Sequence, residues 1–452
     1  MHESELLTRS RYREIFAAVE RAARTLGAPD VEILIGAASS TLTRFANSAI
    51  HQNVAEETHY LSIRPVIGQR TARATTNRFD DHSIRAAVEQ AVSITRAQAP
   101  DPDLPPLACP EPIPASNHFS ASTASSTPAE RAQAVSDAVR IVTAAGQPAA
   151  GICSAGQFVE AILNSAGVDA YHCDTSAQFS ITAMAADSSG WATASAPDRD
   201  SLDPVALARC ASRKAALSAQ PRELPPGRYT VILEPAAVLD LVGQIFADFS
   251  ATAMRDQRSF LTGRIGTRLF GENITIYDDA RHPLQSGAPF DGEGVPRRRL
   301  RLVDRGTPSQ IAYSRASALR AGVPATGHGF PLPNEYGEAP ANIVMEGGDS
   351  SLDQLLASTG RGVLVTRVWY IREVDPYEKI MTGMTRDGTF LIEDGRLTGG
   401  IRNFRFNQSV IEMLRNVEAM TPAVRATGEE AFDMVVPAMK VRDFRFSEAT
   451  RF

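Results

Sequence analysis

The chain has 452 residues, 43% of them apolar and 22% charged, with a formal net charge of −6; these are the proportions of an ordinary globular protein long enough for two or three cores. The acidic balance leaves no electrostatic footprint for nucleic acid, and no apolar run approaches the roughly 20 residues of a membrane helix. The four cysteines, Cys109, Cys153, Cys173 and Cys210, lack CxxC spacing, which argues against a zinc ribbon or a disulfide scaffold and fits a reducing cytoplasm.

Glu3, Glu5 and several arginines open the chain without an apolar stretch, so the start does not read as a secretory signal. An amphipathic helix is expected over 4–26, with Leu7, Ile15, Val19 and Ala23 on one face and Gly27 as its stop. Short strands follow at 31–35, 41–45, 60–66 and 71–76, and Asp80 or Asp81 caps a second helix running to about residue 98. Residues 99–127, rich in Pro, Ser, Ala and Asp, read as a long surface loop. Helices are expected at 128–145 and 204–219, with strands at 158–163 and 177–185 and an Asn164-Ser165-Ala166-Gly167 turn. Pro221, Pro225, Pro226 and Gly227 mark a boundary, dividing the chain into an N-terminal domain, 1–222, and a C-terminal domain, 223–452.

The second half opens with a β-branched strand, 229–233, feeding a helix at Pro235. Val238, Leu241, Val242, Ile245, Phe246 and Phe249 recur at helical spacing, giving one core helix to residue 249 whose acids, Glu234, Asp240 and Asp248, share no face. Strands are expected at 274–277, 300–303, 310–313, 343–345, 362–370, 389–393, 401–406 and 439–446, with helices at 351–356 and 410–420 and a hairpin turn at Asp394-Gly395. The fold class is therefore α+β: an N-terminal α/β domain and a β-rich, barrel-like C-terminal domain.

A helical zinc site needs two histidines one turn apart with a nearby Glu. None of the eight histidines has a partner three to five residues away, and no Cys follows Cys210, so no catalytic and no metal-binding residue is assigned. A GxSxG elbow, a P-loop and a GxGxxG fingerprint are also missing. His328 between two glycines reads as a turn histidine rather than a base. Asp291 and Glu293 read as solvated turn residues, and Arg297-Arg298-Arg299 as a solvated loop. His328, Tyr336 and Arg372 stand as candidate cleft-lining residues.

The order and spacing of several segments resemble the TldD/PmbA family, once called modulators of DNA gyrase, and look most like its TldE (PmbA) branch. The carriers are residues 60–77, Leu163-Asn-Ser-Ala-Gly-Val168, Pro289-Phe-Asp-Gly-Glu-Gly-Val-Pro296, Arg320-Ala-Gly-Val-Pro-Ala-Thr-Gly327, Pro340-Ala-Asn-Ile-Val-Met-Glu-Gly-Gly348 and Leu391-Ile-Glu-Asp-Gly395. Together they span nearly the whole chain. The resemblance implies a zinc-bearing TldD-like subunit with HExxxH on the helix after the first C-domain strand and a Cys near the C-terminus, paired with a TldE-like subunit. Here the corresponding helix falls near residues 238–242 and the Cys segment at 428–442, and neither holds a His or Cys. Residues 375–384 depart from the family's usual segment. The expectation is a non-catalytic, cytoplasmic TldE-like subunit that binds no cofactor itself, leaves zinc to its partner, and completes a chamber for peptides or peptide-like intermediates. The alternatives are an independently active hydrolase with an atypical site and, more weakly, a regulator of DNA topology.

Overall fold

The computed structural model describes residues 4–450. The first half contains α1 (Arg9–Thr25), β1 (Asp30–Ala46), β2 (Ala49–Ile67), β3 (Arg70–Thr71), β4 (Ala74–Thr76), α2 (Asp81–Ala97), α3 (Ala121–Ala124), α4 (Pro128–Ala144), β5 (Ala149–Asn164), β6 (Asp169–Met184), β7 (Ser189–Ala196) and α5 (Pro204–Leu217). Its strands form one sheet in the order β3-β2-β1-β5-β6-β7, with β4 also paired to β2. Side chains alternate between faces along each strand, so Ile33, Ile35, Leu61 and Val159 all point at α1 and α2 and bury Tyr12, Ile15, Val19 and Val88. Farther along the sheet, Phe179 and Ile181 of β6 meet Val135 and Val142 of α4 and Ala211 of α5. The helices start where local chemistry favours it: Asp80 accepts from the Ser83 N–H, and Thr127 and Glu130 cap each other's backbone ahead of α4. From Ala49 to Thr58 the outer edge of β2 has no strand partner among the described residues.

The second half contains β8 (Gly227–Leu233), α6 (Pro235–Val242), α7 (Ala251–Arg255), β9 (Ile276–Asp278), β10 (Leu300–Asp304), β11 (Thr307–Pro308), α8 (Arg315–Ala321), β12 (Ile343–Met345), α9 (Leu352–Ala357), β13 (Arg361–Asp375), β14 (Ile380–Glu393), β15 (Arg396–Gly400), β16 (Phe404–Ser409), α10 (Val410–Arg415), β17 (Val417–Met420), β18 (Val424–Ala426), β19 (Met434–Val436) and β20 (Met439–Ala449). One sheet runs β11-β10-β9-β12-β19-β18; the other runs β13-β8-β20-β16-β14-β15 and closes on itself where β14 pairs back with β13. The fold is thus α+β with a closed barrel in its second half. Val231 and Leu233 of β8, Val238, Leu239, Leu241 and Val242 of α6, and Phe404, Phe406 and Phe444 share one core with the smaller sheet. The two halves meet where Phe290 enters an apolar pocket of Leu34, Ala108, Ile162, Val168 and Ala170. No described helix is long and apolar enough to cross a membrane.

Several expectations change. The helix at 235–249 is two elements: α6 ends at Val242 and a 3₁₀ turn carries the chain from Gly243 to Asp248. A Cβ on Gly243 would lie 2.4 Å from that of Ala431, so only glycine lets the neighbouring loop this close. Every residue of α6 from Ala236 to Val242 is buried, so it has no solvent face, and Asp240 and Asp248 are interior. The strands expected at 158–163 and 177–185 are each 16 residues long. The helix expected over 410–420 stops at Arg415 and continues as β17. The surface loop 99–127 is pinned instead: Asn164 donates to the Ala108 carbonyl, and Arg315 to those of Pro106 and Leu107.

Candidate functional site

β8 is a strand of the barrel wall, hydrogen-bonded to β13 on one side and β20 on the other. It therefore delivers α6 to a fixed position, with Pro235 starting the helix where an N–H is not needed. The one carboxylate on this helix, Asp240, is 1% exposed. It accepts three backbone N–H bonds from a loop nearly two hundred residues away: Oδ1 from Glu430 (3.0 Å) and Ala431 (3.1 Å), and Oδ2 from Glu429 (3.3 Å). Gly428 lies so close that a Cβ there would meet Asp240 Oδ1 at 2.2 Å. Burial pushes the Asp240 carboxyl up to about 6, against the pull of the three N–H donors.

The loop is also held from its other side. Arg367 on β13 donates to Glu429 Oε1 (2.7 Å) and to Asp387 Oδ2 (2.9 Å from Nε), and its guanidinium lies 4.6 Å from the Trp191 ring of the first sheet. Ser189 donates to the same Asp387. Glu430 accepts from the Tyr370 N–H at 2.6 Å and faces Arg372 at 3.5 Å, while Arg372 stacks on the Tyr370 ring at 4.4 Å. Tyr370 sits at φ +57° within a bulge of β13, a conformation that costs an aromatic residue energy and needs surrounding contacts to hold it. Helix, loop and barrel strand thus form one clasp of carboxylates around backbone donors.

The three candidate residues lie apart. His328 is fully buried: its Nε2 lies 3.1 Å from Asp278 Oδ1 and its Nδ1 3.0 Å from Thr326 Oγ1, so the interior pair removes it from any cleft. Tyr336 is exposed at the surface of the following turn. Arg372 belongs to the clasp rim. Asp291 and Glu293, read as solvated, are each 2% exposed. The first sheet covers their loop, and Asp291 accepts N–H bonds from Glu293, Val295 and Gly329. Burial and then the Asp291 charge push Glu293 up to about 8, and its Oε1 has no hydrogen-bond partner. Of the three arginines read as a solvated loop, Arg297 is half-buried and reaches the Gly327 carbonyl at 3.4 Å; Arg299 stacks on Tyr277. The sequence reading missed Asp240, Arg367, Glu429 and Glu430. A signal for the first was present: a lone carboxylate inside the apolar run Val238-Leu239-Asp240-Leu241-Val242.

The architecture is thus a helix-covered sheet joined to a barrel that presents a buried helix to a C-terminal loop. Three family models match along the chain: PmbA/TldA metallopeptidase domain 1 over residues 31–95, the central domain over 121–219 and the C-terminal domain over 226–448. The chain belongs to the PmbA/TldD metallopeptidase family. It is 24% identical over 278 residues to a metalloprotease of Methanothermobacter thermautotrophicus, a match covering 58% of this chain and 59% of that one. It is 23% identical over 221 residues to the metalloprotease PmbA homolog of Haemophilus influenzae, covering 48% and 46%. The chain thus matches less than two thirds of the length of these relatives. Its fold is shared with TldE from Thermococcus kodakarensis, at a TM-score of 0.87 and 20% identity over 95% of this chain and 100% of that one.

A metallopeptidase family implies a metal, and the residues at the clasp do not fit one. Zinc takes thiolate, imidazole or carboxylate ligands with free lone pairs. On α6 the only such group is Asp240, and both its oxygens are committed to backbone N–H donors. Across from it, Glu429 is bound to Arg367, and Glu430 to the Tyr370 N–H. Among the described residues no cluster of three or more His, Cys, Asp or Glu is arranged to hold a metal ion.

Proposed function

We propose that this chain is a non-catalytic, TldE-like subunit of a two-chain TldD/TldE-type peptidase. It pairs in the cytoplasm with an HExxxH-bearing subunit that holds the zinc, and it completes the chamber for peptides or peptide-like intermediates. The observation that carries the reading is Asp240. The two segments to which the resemblance assigns metal ligands, residues 238–242 and 428–442, do lie side by side, but a carboxylate bound to three backbone amides joins them. A zinc hydrolase needs an open coordination position to generate its hydroxide, and this junction offers none. The chain keeps the scaffold that positions such a site without the chemistry of the site.

Co-expression with an HExxxH-bearing family member tests the reading. The two chains should copurify, with zinc and chelator-sensitive peptide cleavage present in the pair and absent from this chain alone. Peptide hydrolysis by this chain alone, lost on treatment with a chelator, would overturn it.

A further inference from the structure

A hollow of about 360 Å³ lies in the first half, between the sheet and the helix α4 that crosses it, and no clasp residue lines it. Its floor is two rows of the sheet, Cys153 beside Phe179 and Ala155 beside Ala177. Its roof is Ala134 of α4, with Leu202 and Pro204 where the chain enters α5. Small side chains above and below leave room that larger ones would fill. An apolar pocket of this size with a few polar groups at its rim is the ordinary form of a small-molecule site.

Arg131 of α4 forms one wall and is only 3% exposed. Its Nε donates to Thr43 Oγ1 (3.2 Å) and its Nη1 to the Ser126 carbonyl (3.0 Å). Thr43 Oγ1 in turn donates to Asn53 Oδ1 (2.5 Å), so both acceptors of Arg131 are neutral. Nη2 has no partner among the described residues and is not sealed from solvent, so the guanidinium opens to the hollow it lines. Among the described residues no carboxylate lies within ion-pairing distance of it. The two acids of the wall both face Arg199 instead. Glu130 is held by its two terminal nitrogens at 2.7 and 2.6 Å, and Asp200, at 3.5 Å from its Nε, is mostly exposed. Cys153 supplies no charge either, because burial pushes its thiol up to about 11. Buried charges are ordinarily paired; here the chain provides no partner, and the open side of the guanidinium is the side that a ligand could reach.

We propose that the hollow binds a small organic acid with an apolar body, its carboxylate on Arg131 and its body laid over Ala155 and Ala177. The anion supplies the missing countercharge, and the floor takes the body out of water. The site lies wholly within the first half, so it does not rest on pairing with a zinc-bearing chain. The acid has two sources, the C-terminus of an apolar peptide or a short fatty acid.

Calorimetric titration of the full chain with N-acetyl-leucine and with hexanoate, each beside its amide, tests the proposal. At least one acid should bind at low millimolar concentration or tighter, and its amide about tenfold more weakly, the size expected for one charge-assisted pair. Binding of N-acetyl-leucine alone assigns the peptide source, binding of hexanoate alone the fatty acid, and binding of both the shared chemistry. Arg131→Gln should remove the preference for acid over amide. Ala134→Leu keeps Arg131 and suits a helix, but it fills the hollow from above and should weaken the acid about tenfold. If Arg131→Gln does not fold, Ala134→Leu and the comparison of acid with amide decide the question. Absence of binding by both acids, equal affinity for acid and amide, or full affinity in either variant overturns the proposal.

Discussion

His328 and Asp278 face each other across 3.1 Å, from Nε2 to Oδ1, with both side chains closed off from solvent. Asp278 spends its other oxygen on the N–H groups of Ala341 (2.6 Å) and Asn342 (2.9 Å). Burial works against its charge, yet the histidine, Arg297 and the backbone donors hold its carboxyl below the ordinary range. His328→Ala strips the partner from a buried anion and should cost about 3–5 kcal/mol in urea unfolding. A loss below about 1 kcal/mol would show that the pair is not what fixes this histidine.

Glu293 makes stability depend on pH. Its carboxyl is raised from the ordinary 4.5 to about 8, so the folded chain keeps a proton that the unfolded chain releases. Below pH 4.5 both states are protonated and the group favours neither. Between 4.5 and 8 its contribution to stability falls by about 1.4 kcal/mol per pH unit, and above 8 that slope ends. Glu293→Gln cannot titrate, so its stability relative to the parent should climb steadily from pH 5 to pH 8. A parent-to-variant difference that stays level over this range would refute the assignment.

Asp240→Ala leaves three backbone N–H groups without their acceptor. Each lost partner costs about 1 kcal/mol or more when the group stays buried, so a total near 3 kcal/mol is expected. The amides of Glu429, Glu430 and Ala431 should also exchange with solvent far faster in the variant. Unchanged exchange at these three positions would mean that other contacts hold the loop.

Phe290 is 1% exposed and couples the two halves through the apolar pocket on the first sheet. Gly294, at φ +80° and with space for a Cβ only 2.9 Å from Val168, permits that close docking. Phe290→Ala should cost about 3–5 kcal/mol. Because the damage falls on the joint, calorimetry should resolve one transition into two. A single sharp transition at the parent's temperature would refute this role.

The element order and the fold class were legible because long apolar runs and caps carry local signals: α1, α2, α4 and the β8–α6 junction all announce themselves. Strands β5 and β6 did not show their length, since Ala, Gly and Ser fill much of Ala149–Gly156 and leave no apolar alternation. Asp291 and Glu293 looked solvated because a Gly-rich acidic turn carries no mark of the sheet that will cover it. Asp240 was passed over for the same reason. A carboxylate in an apolar helix has meaning only beside its acceptor-seeking partners, and these lie 189 to 191 positions further along the chain.

The bare rim of β2 has a practical corollary. Ten consecutive residues, Ala49 to Thr58, present open ladder groups with Ile50 and Val54 turned outward; no proline or lysine lies among them, and one bulge at His51 is the single irregularity in their pairing with β1. Glu56 and Glu57 supply the only negative charge there. Acidification that neutralises them should make concentrated stocks cloud or gel, while Val54→Lys should keep them clear.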